Sequence, residues 1–204
     1  MLTIAGERLE LNRLLRPTAG LRAWFLAAVL VLAAGIAATS IAPDAGVRVT
    51  GAGLVMLPAW LLRHDIARRT VRQHGLTRFM AICLLAGYAW LGAGGLMAAW
   101  FGGAPAGPHY DAVLHAVLLG FVMSMVFAHA PIIFPAILGV PLPYRPVFYG
   151  HVILLHASLA LRVAGDLVPG LHPLRAWGGL LNAAALLLFV ANTVRSALLA
   201  RRAA

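Results

Sequence analysis

The sequence predicts an all-α integral membrane protein, a bundle of six transmembrane helices with both termini in the cytoplasm. The first observation is composition: the 204 residues are 62% hydrophobic and only 11% charged, with a mean hydropathy of +0.89. A soluble domain of this length cannot bury that much apolar surface, so a lipid bilayer must surround most of it. The second observation is that six apolar runs alternate with polar or glycine- and proline-rich connections.

The arginines predict the orientation. The chain has 16 arginines and no lysine. Thirteen lie in the N-terminal arm, the segment 63–78, the connector at Arg145 and the C-terminal tail. The other connections hold only Arg48, Arg162 and Arg175. Arginine-rich loops stay in the cytoplasm, which places both termini there. The net charge of +10 then favours contact with the anionic headgroups of the lipid bilayer, and we expect no nucleic-acid partner.

Composition also indicates the compartment. A chain rich in alanine, glycine and arginine but without lysine is typical of a GC-rich bacterial genome, so we expect a multi-pass protein of the bacterial cytoplasmic (inner) membrane. The single cysteine, Cys83, excludes a disulfide framework within the chain.

The N-terminal third predicts an arm and two spans. Residues 1–22 are polar and basic, and their leucines and isoleucines are spaced as in a cytoplasmic amphipathic helix at the membrane surface. The apolar run 23–42 is long enough to be the first span. The segment 43–46, Pro-Asp-Ala-Gly, predicts a tight turn. A shorter second span follows at about 47–62 and ends in the basic loop 63–74.

Four longer spans complete the predicted transmembrane domain, which covers residues 23–200. The third, 76–101, ends in a glycine- and proline-rich break. The fourth covers about 110–138, the fifth 147–165 and the sixth 174–199. No part of the chain has the composition of a separate soluble domain.

Four histidines give the strongest chemical signal. His115, His129, His151 and His156 lie in two successive apolar spans, and Arg145 is the only charged residue between the first and the last of them. A titratable side chain inside the membrane is costly, so it normally faces the bundle interior and has a partner. Imidazole is also the commonest metal and haem-iron ligand. These four side chains are therefore candidate ligands.

Helical geometry sorts the histidines into two levels. His115 and His129 are 14 residues apart, so in a regular α-helix they share a face and lie about 21 Å apart along the axis. The expected depths place His129, His151 and His156 together near the inner half of the membrane. His151 and His156 differ by about 140° around their helix, so only one of them faces a ligand shared with His129.

Two further features lie beside these histidines. Arg162 shares a helix face with His151, so it either holds a haem propionate or pairs with Asp166 four residues on. Pro131 and Pro135 follow His129 and interrupt helix hydrogen bonding. The bend they cause either shapes a cofactor cavity or serves packing only.

The sequence lacks the motifs of hydrolytic chemistry. There is no CxxCH, HExxH, P-loop or GxSxG pattern, and no pair of acidic residues lies within a span. No nucleophile has a base beside it. Whether the protein is an enzyme stays open at this point.

Two short motifs resemble a known family. The residues Gly87-Tyr88-Ala89-Trp90-Leu91, then His115-Ala116-Val117-Leu118-Leu119-Gly120 with Met125 further on, are similar to the C-terminal half of NnrS proteins. The similarity covers about residues 55–200. It implies a polytopic membrane protein that carries haem and copper and acts in the nitric-oxide response, with His115 at the position of a family histidine.

The chain departs from that family in two ways. NnrS proteins have twelve spans, so this chain corresponds to half of one or to a compact relative that forms a homodimer. The GHTGR stretch that follows the family's helix is replaced here by Phe-Pro-Ala-Ile-Leu-Gly-Val-Pro-Leu-Pro-Tyr at 134–144.

Two functions follow as hypotheses. The first is a haem b protein of nitrogen-oxide response or membrane electron transfer, with a redox partner. Its iron is held by His129 and by His151 or His156, and His115 serves a second haem or copper. The alternative is a non-catalytic membrane transporter, channel or assembly factor, whose histidines serve proton coupling or helix packing.

Overall fold

The structure, a computed structural model, describes residues 19–201. That part of the chain is all-helical, and six of its helices are long and apolar enough to cross a membrane by length and composition. Most of the predicted N-terminal arm, residues 1–22, lies outside the described residues. Its last four residues, 19–22, already belong to the first helix.

The helices follow one another with short connections. In chain order they are α1 Ala19–Ala38, α2 Pro43–His64, the short α3 Ala67–Thr70, α4 Gly75–Phe101, α5 Pro108–His115, a π-helical segment Ala116–Val122, α6 Met123–Leu138, α7 Phe148–Leu167 and α8 His172–Arg201. α5, the π segment and α6 continue without a break. They form one composite helix, which supplies the candidate span Pro108–Ile137.

The turn between the first two spans lies earlier than predicted. The turn residues are 39–41, and the segment 43–46 that was predicted as a turn forms the start of α2. Pro43 occupies the beginning of that helix. Proline suits this position because its fixed φ is helical and the amide hydrogen it lacks would have no partner there.

Glycines bring neighbouring helices into close contact. A Cβ atom on Gly35 of α1 would lie 2.4 Å from the backbone nitrogen of Thr50 in α2. Comparable contacts occur between α2 and α4 and between α7 and α8, at Gly95 and Gly178. Small residues allow membrane helices to approach closely where lipid provides no hydrophobic drive for association. The bundle is therefore largely a series of antiparallel contacts between helices that follow one another in the sequence.

The bundle has two chemically different ends. We call one the arginine-rich end, because it carries the exposed or half-buried residues Arg63, Arg68, Arg69, Arg72, Arg78, Arg145, Arg195 and Arg201. At the opposite end, Arg48 donates hydrogen bonds to the carbonyl oxygens of Ala99 and Trp100, at 3.0 and 2.8 Å, and pairs with Asp44 at 2.8 Å. The guanidinium thus satisfies carbonyl groups that the end of α4 leaves without helical partners.

The π segment changes the direction in which the side chains after it point from the helix axis. Its hydrogen bonds span five residues instead of four, which has the effect of one extra residue and rotates the rest of the helix by about 100°. His115 precedes the segment and His129 follows it. The shared face that regular α-helical geometry predicts for these two histidines is therefore not formed.

Candidate functional site

A stripe of polar side chains lies between α7 and α8. We call it the polar seam, and it consists of His151, Ser158, Arg162 and Asp166 of α7 with Asn192, Asn182 and Arg175 of α8. The α7 residues follow at intervals of seven, four and four positions, which keeps them on one helix face. The seam extends for about 22 Å along α7, so it crosses most of the thickness of a bilayer's hydrocarbon core.

At the arginine-rich end of the seam, His151 is almost fully enclosed. Its exposed fraction is 1%, and the rings of Phe127, Phe148 and Phe189 surround it at centroid distances of 4.7, 5.8 and 5.2 Å. The His151 Nδ1 atom lies 3.3 Å from the amide nitrogen of Asn192. With the amide oriented this way it donates, so the ring proton is assigned to Nε2. That Nε2 atom is buried without a hydrogen-bond partner within residues 19–201.

The middle of the seam is a serine–asparagine pair. Ser158 Oγ lies 2.6 Å from Asn182 Oδ1, and both side chains are buried. The Asn182 Nδ2 atom has no partner among the described residues. A buried amide without its hydrogen bonds is costly in hydrocarbon, so an acceptor such as a water molecule would stabilise this Nδ2 atom.

The far end of the seam is a cluster of two arginines and two aspartates. Arg175 pairs with Asp111 of α5, and its Nε atom lies 2.9 Å from Asp166 Oδ1. That ion pair has no hydrogen-bond geometry, so both oxygens of the fully buried Asp166 carboxylate lack a donor within residues 19–201. Arg162 Nη2 lies 3.8 Å from Asp111 Oδ2. Arg162 thus pairs with Asp111 and not with Asp166, the partner that its spacing offers. His115 belongs to the electrostatic surroundings of Asp166.

The two motifs that resemble NnrS proteins meet in the structure. A Cβ atom on Gly87 would lie 2.7 Å from Met125 Cε, and one on Gly120 would lie 2.4 Å from both Cβ and Cγ of Trp90. The Trp90 indole donates to His156 Nδ1 at 3.0 Å. Because Nδ1 accepts this bond, the neutral His156 ring carries its proton on Nε2, and that atom cannot offer a lone pair to a metal.

His115 and His129 have the opposite proton arrangement. Their Nδ1 atoms each lie 2.7 Å from a backbone carbonyl oxygen, that of Asp111 for His115 and that of Met125 for His129. A carbonyl oxygen only accepts, so each Nδ1 carries the proton and each Nε2 keeps a lone pair. This is the tautomer that metal-binding histidines commonly use. Both rings are half-buried.

The structure does not bring His129 and His151 together. Phe127 contacts the His151 ring, and His129 lies two residues further on, about 200° around the same helix. His156 faces Trp90 on another side of α7. A haem that bridges His129 and a histidine of α7 therefore does not fit this packing. Within residues 19–201, no group of three or more His, Cys, Asp or Glu side chains is placed to hold a metal ion. His115 and His129 remain candidates for single ligands.

Sequence reasoning missed most of the seam. The predictions from the sequence give no role to Ser158, Asn182 or Asn192, and they include Trp90 only as part of the first NnrS-like motif. One signal was available: in two adjacent antiparallel helices, the residue numbers of facing positions have a nearly constant sum. The pairs His151–Asn192 and Ser158–Asn182 both follow this rule.

Fold and site together define the class of protein: residues 19–201 are all-helical, with six helices long and apolar enough to cross a membrane, and a buried polar seam joins two of these helices. The chain belongs to the family described as Domain of unknown function (DUF8744), whose model matches residues 1–198. Comparison with curated proteins and with solved structures found no match. The similarity to NnrS proteins stays a prediction.

Proposed function

We propose that this chain is a proton transporter of the bacterial cytoplasmic membrane, with both termini in the cytoplasm and the polar seam as the route for protons. The observation that carries the proposal is a set of buried atoms along one interface that have no hydrogen-bond partner within residues 19–201: His151 Nε2, Asn182 Nδ2, Arg162 Nε and the Asp166 carboxylate. Each such atom costs several kcal/mol in hydrocarbon. Water or a passing solute would supply the missing bonds.

The seam offers groups suited to proton transfer. The His151 ring can accept a proton on one nitrogen and release one from the other. Asp166 and Asp111 can exchange protons at the far end, while Arg162 and Arg175 hold the carboxylates and repel other cations.

The seam is interrupted once. His151 and Ser158 are about 10 Å apart along the helix, and the fully buried Leu155 lies between them. This apolar stretch fits a carrier that opens to each side in turn better than it fits a permanently open pore.

Proton uptake by reconstituted vesicles tests the proposal. Vesicles that contain the protein and an enclosed pH-sensitive dye should take up protons faster than empty vesicles when a membrane potential is imposed. His151→Phe should reduce the uptake to the level of empty vesicles, because phenylalanine suits the aromatic surroundings but carries no proton. The matched control is His64→Phe, since His64 packs against Trp24 and Trp60 outside the seam. Equal uptake by wild type and His151→Phe would exclude the seam as the route.

Haem or copper binding is the second candidate, and the ring orientation of His115 and His129 favours it. In each ring Nδ1 donates to a backbone carbonyl oxygen, the tautomer that metal-binding histidines commonly use, and the NnrS resemblance implies nitrogen-oxide response or electron transfer. Haem would supply redox and gas-binding chemistry. The absorption spectrum of the same preparation separates the candidates: a Soret band that His129→Ala removes, without proton uptake, supports haem. Uptake without that band supports transport.

The predicted orientation of the helices in the membrane can be tested separately. Cys83 is fully buried, so cysteines introduced at exposed positions can be labelled selectively. We expect Arg72→Cys to react with a membrane-impermeant maleimide only after the cytoplasmic side is opened, and Ala106→Cys to react in intact cells, since thirteen of the 16 arginines lie in the predicted cytoplasmic segments. Labelling of Arg72→Cys in intact cells would show that the orientation is the reverse of the predicted one.

A further inference from the structure

A polar pocket opens at the arginine-rich end, beside the start of α7. Its volume is about 310 Å³, and its lining is formed by Arg145, Pro146, Val147, Asn192, Arg195 and Ser196. The connector between α6 and α7 supplies one wall and the last turns of α8 supply the other. Two arginines from segments 50 residues apart in the sequence therefore line the same small space.

The described residues give this pocket a positive charge. Arg145 and Arg195 are both exposed, and no carboxylate of residues 19–201 lines the pocket. Within residues 19–201 the ion pairs involve Arg48, Arg162 and Arg175 instead. Guanidinium groups bind carboxylate and phosphate oxygens through paired hydrogen bonds. An oxyanion would neutralise the pocket and bind both arginines.

The base of the pocket is polar and fixed in place. Ser196 is 1% exposed, and its hydroxyl donates to the carbonyl oxygen of Pro143 at 2.8 Å, which ties the connector to α8. Asn192 is also buried, and its amide faces His151. The pocket is thus built from side chains held by the fold and not only from mobile surface arginines.

An apolar groove adjoins the pocket. It has a volume of about 270 Å³ and is lined by Ala191, Val194, Arg195, Leu198 and Leu199. Arg195 lies at the boundary, since it lines both spaces. A positively charged pocket followed by an apolar groove complements a molecule with an oxyanion at one end and a hydrocarbon chain at the other.

We infer that this end of the protein binds an anionic phospholipid, with the phosphate between Arg145 and Arg195 and the beginning of an acyl chain along the groove. The lipid site does not depend on the proposed transport function, because the pocket, its positive charge and the groove are all observed without assuming transport. It is also more specific than general attraction of cytoplasmic arginines to headgroups, since Arg69 and Arg72 of the same end line neither space.

Lipid binding to the full-length protein in detergent tests the inference. Phosphatidylglycerol should raise the melting temperature and remain bound in native mass spectrometry, whereas phosphatidylcholine should do neither. The double variant Arg145→Gln with Arg195→Gln should bind phosphatidylglycerol about tenfold more weakly or worse, as expected from the loss of charge-assisted hydrogen bonds. The matched control is Arg69→Gln with Arg72→Gln, which removes the same charge from the same end and should bind as wild type does.

The other outcomes contradict the inference in different ways. Equal loss in both double variants would mean that only net charge matters. Equal stabilisation by phosphatidylcholine would mean that the groove alone binds lipid. Full stabilisation by inorganic phosphate would assign the pocket to a free oxyanion and not to a lipid. Val194→Trp, which fills the groove but leaves the arginines, should weaken phosphatidylglycerol binding and leave any phosphate binding unchanged.

Discussion

Gly120→Ala is expected to destabilise the protein and to break the contact between Trp90 and His156. The added Cβ atom would lie 2.4 Å from both Cβ and Cγ of Trp90, and these atoms are fixed close to the α4 backbone, so they cannot move away as a flexible side-chain end could. Forcing extra volume into a packed core costs about 1–3 kcal/mol. A lower melting temperature in detergent, together with altered tryptophan fluorescence, would show both effects.

Gly150→Ala is the matched control. Gly150 lies in α7, and the nearest atom to its added Cβ would be Leu188 Cδ2 at 3.9 Å, an ordinary contact. Alanine is favoured over glycine inside a helix by up to about 1 kcal/mol, so this variant should be as stable as wild type or more so. Similar behaviour of the two variants would contradict the close approach of Gly120 and Trp90.

Arg175→Met is expected to have the larger effect on stability. The change leaves the fully buried carboxylate of Asp166 without its ion-pair partner and removes a guanidinium from Asp111. Removal of one member of a fully buried ion pair costs about 3–5 kcal/mol, because the other charge stays in a medium of low dielectric constant. Since the Arg175 side chain is 37% exposed, we expect a cost at the lower end of that range. The free energy of unfolding in detergent, or the yield of folded protein, measures this effect.

Two comparisons separate this prediction from a general effect of charge. Asp44 and Arg48 form an exposed pair, and such pairs contribute about 0–1 kcal/mol, so Asp44→Asn should cost little. Asp111→Asn with Asp166→Asn should restore part of the stability of Arg175→Met, since the unpaired charges are then gone. A loss no greater than that of Asp44→Asn would show that the cluster is solvated and not buried.

The general form of the fold could be predicted because its cause is local. Each of the six long helices is an apolar run, and the end of the third at Phe101 follows from the glycine and proline residues after it. The π segment could not be predicted in this way. Its Gly120 packs against Trp90, 30 residues earlier in the sequence, and no periodicity within the segment indicates its π geometry.

The site was harder to predict than the fold, because the depth of a residue in the membrane does not determine the direction in which its side chain points. The expectation that His129 and His151 meet used only their positions along two helices. In the structure, Phe127 contacts the His151 ring in place of His129, and Asn192 supplies its hydrogen-bonding neighbour. Asn182 and Asn192 share one side of α8 with Arg175 and Ser196, but a few polar residues along one helix do not indicate which helix they face. Only the pairing of α7 with α8 gives them a role.

The close contacts between successive helices also bear on how the chain assembles. Because α1 packs on α2 and α2 on α4, each hairpin can form as soon as its second helix has been synthesised, with little loop entropy lost. The polar seam differs, because it cannot form until α8 has been synthesised. His151 and Asp166 have their partners Asn192 and Arg175 in α8, so a ribosome that has just completed α7 leaves these polar groups in the bilayer without those partners. Insertion of the last two helices as one unit avoids that intermediate.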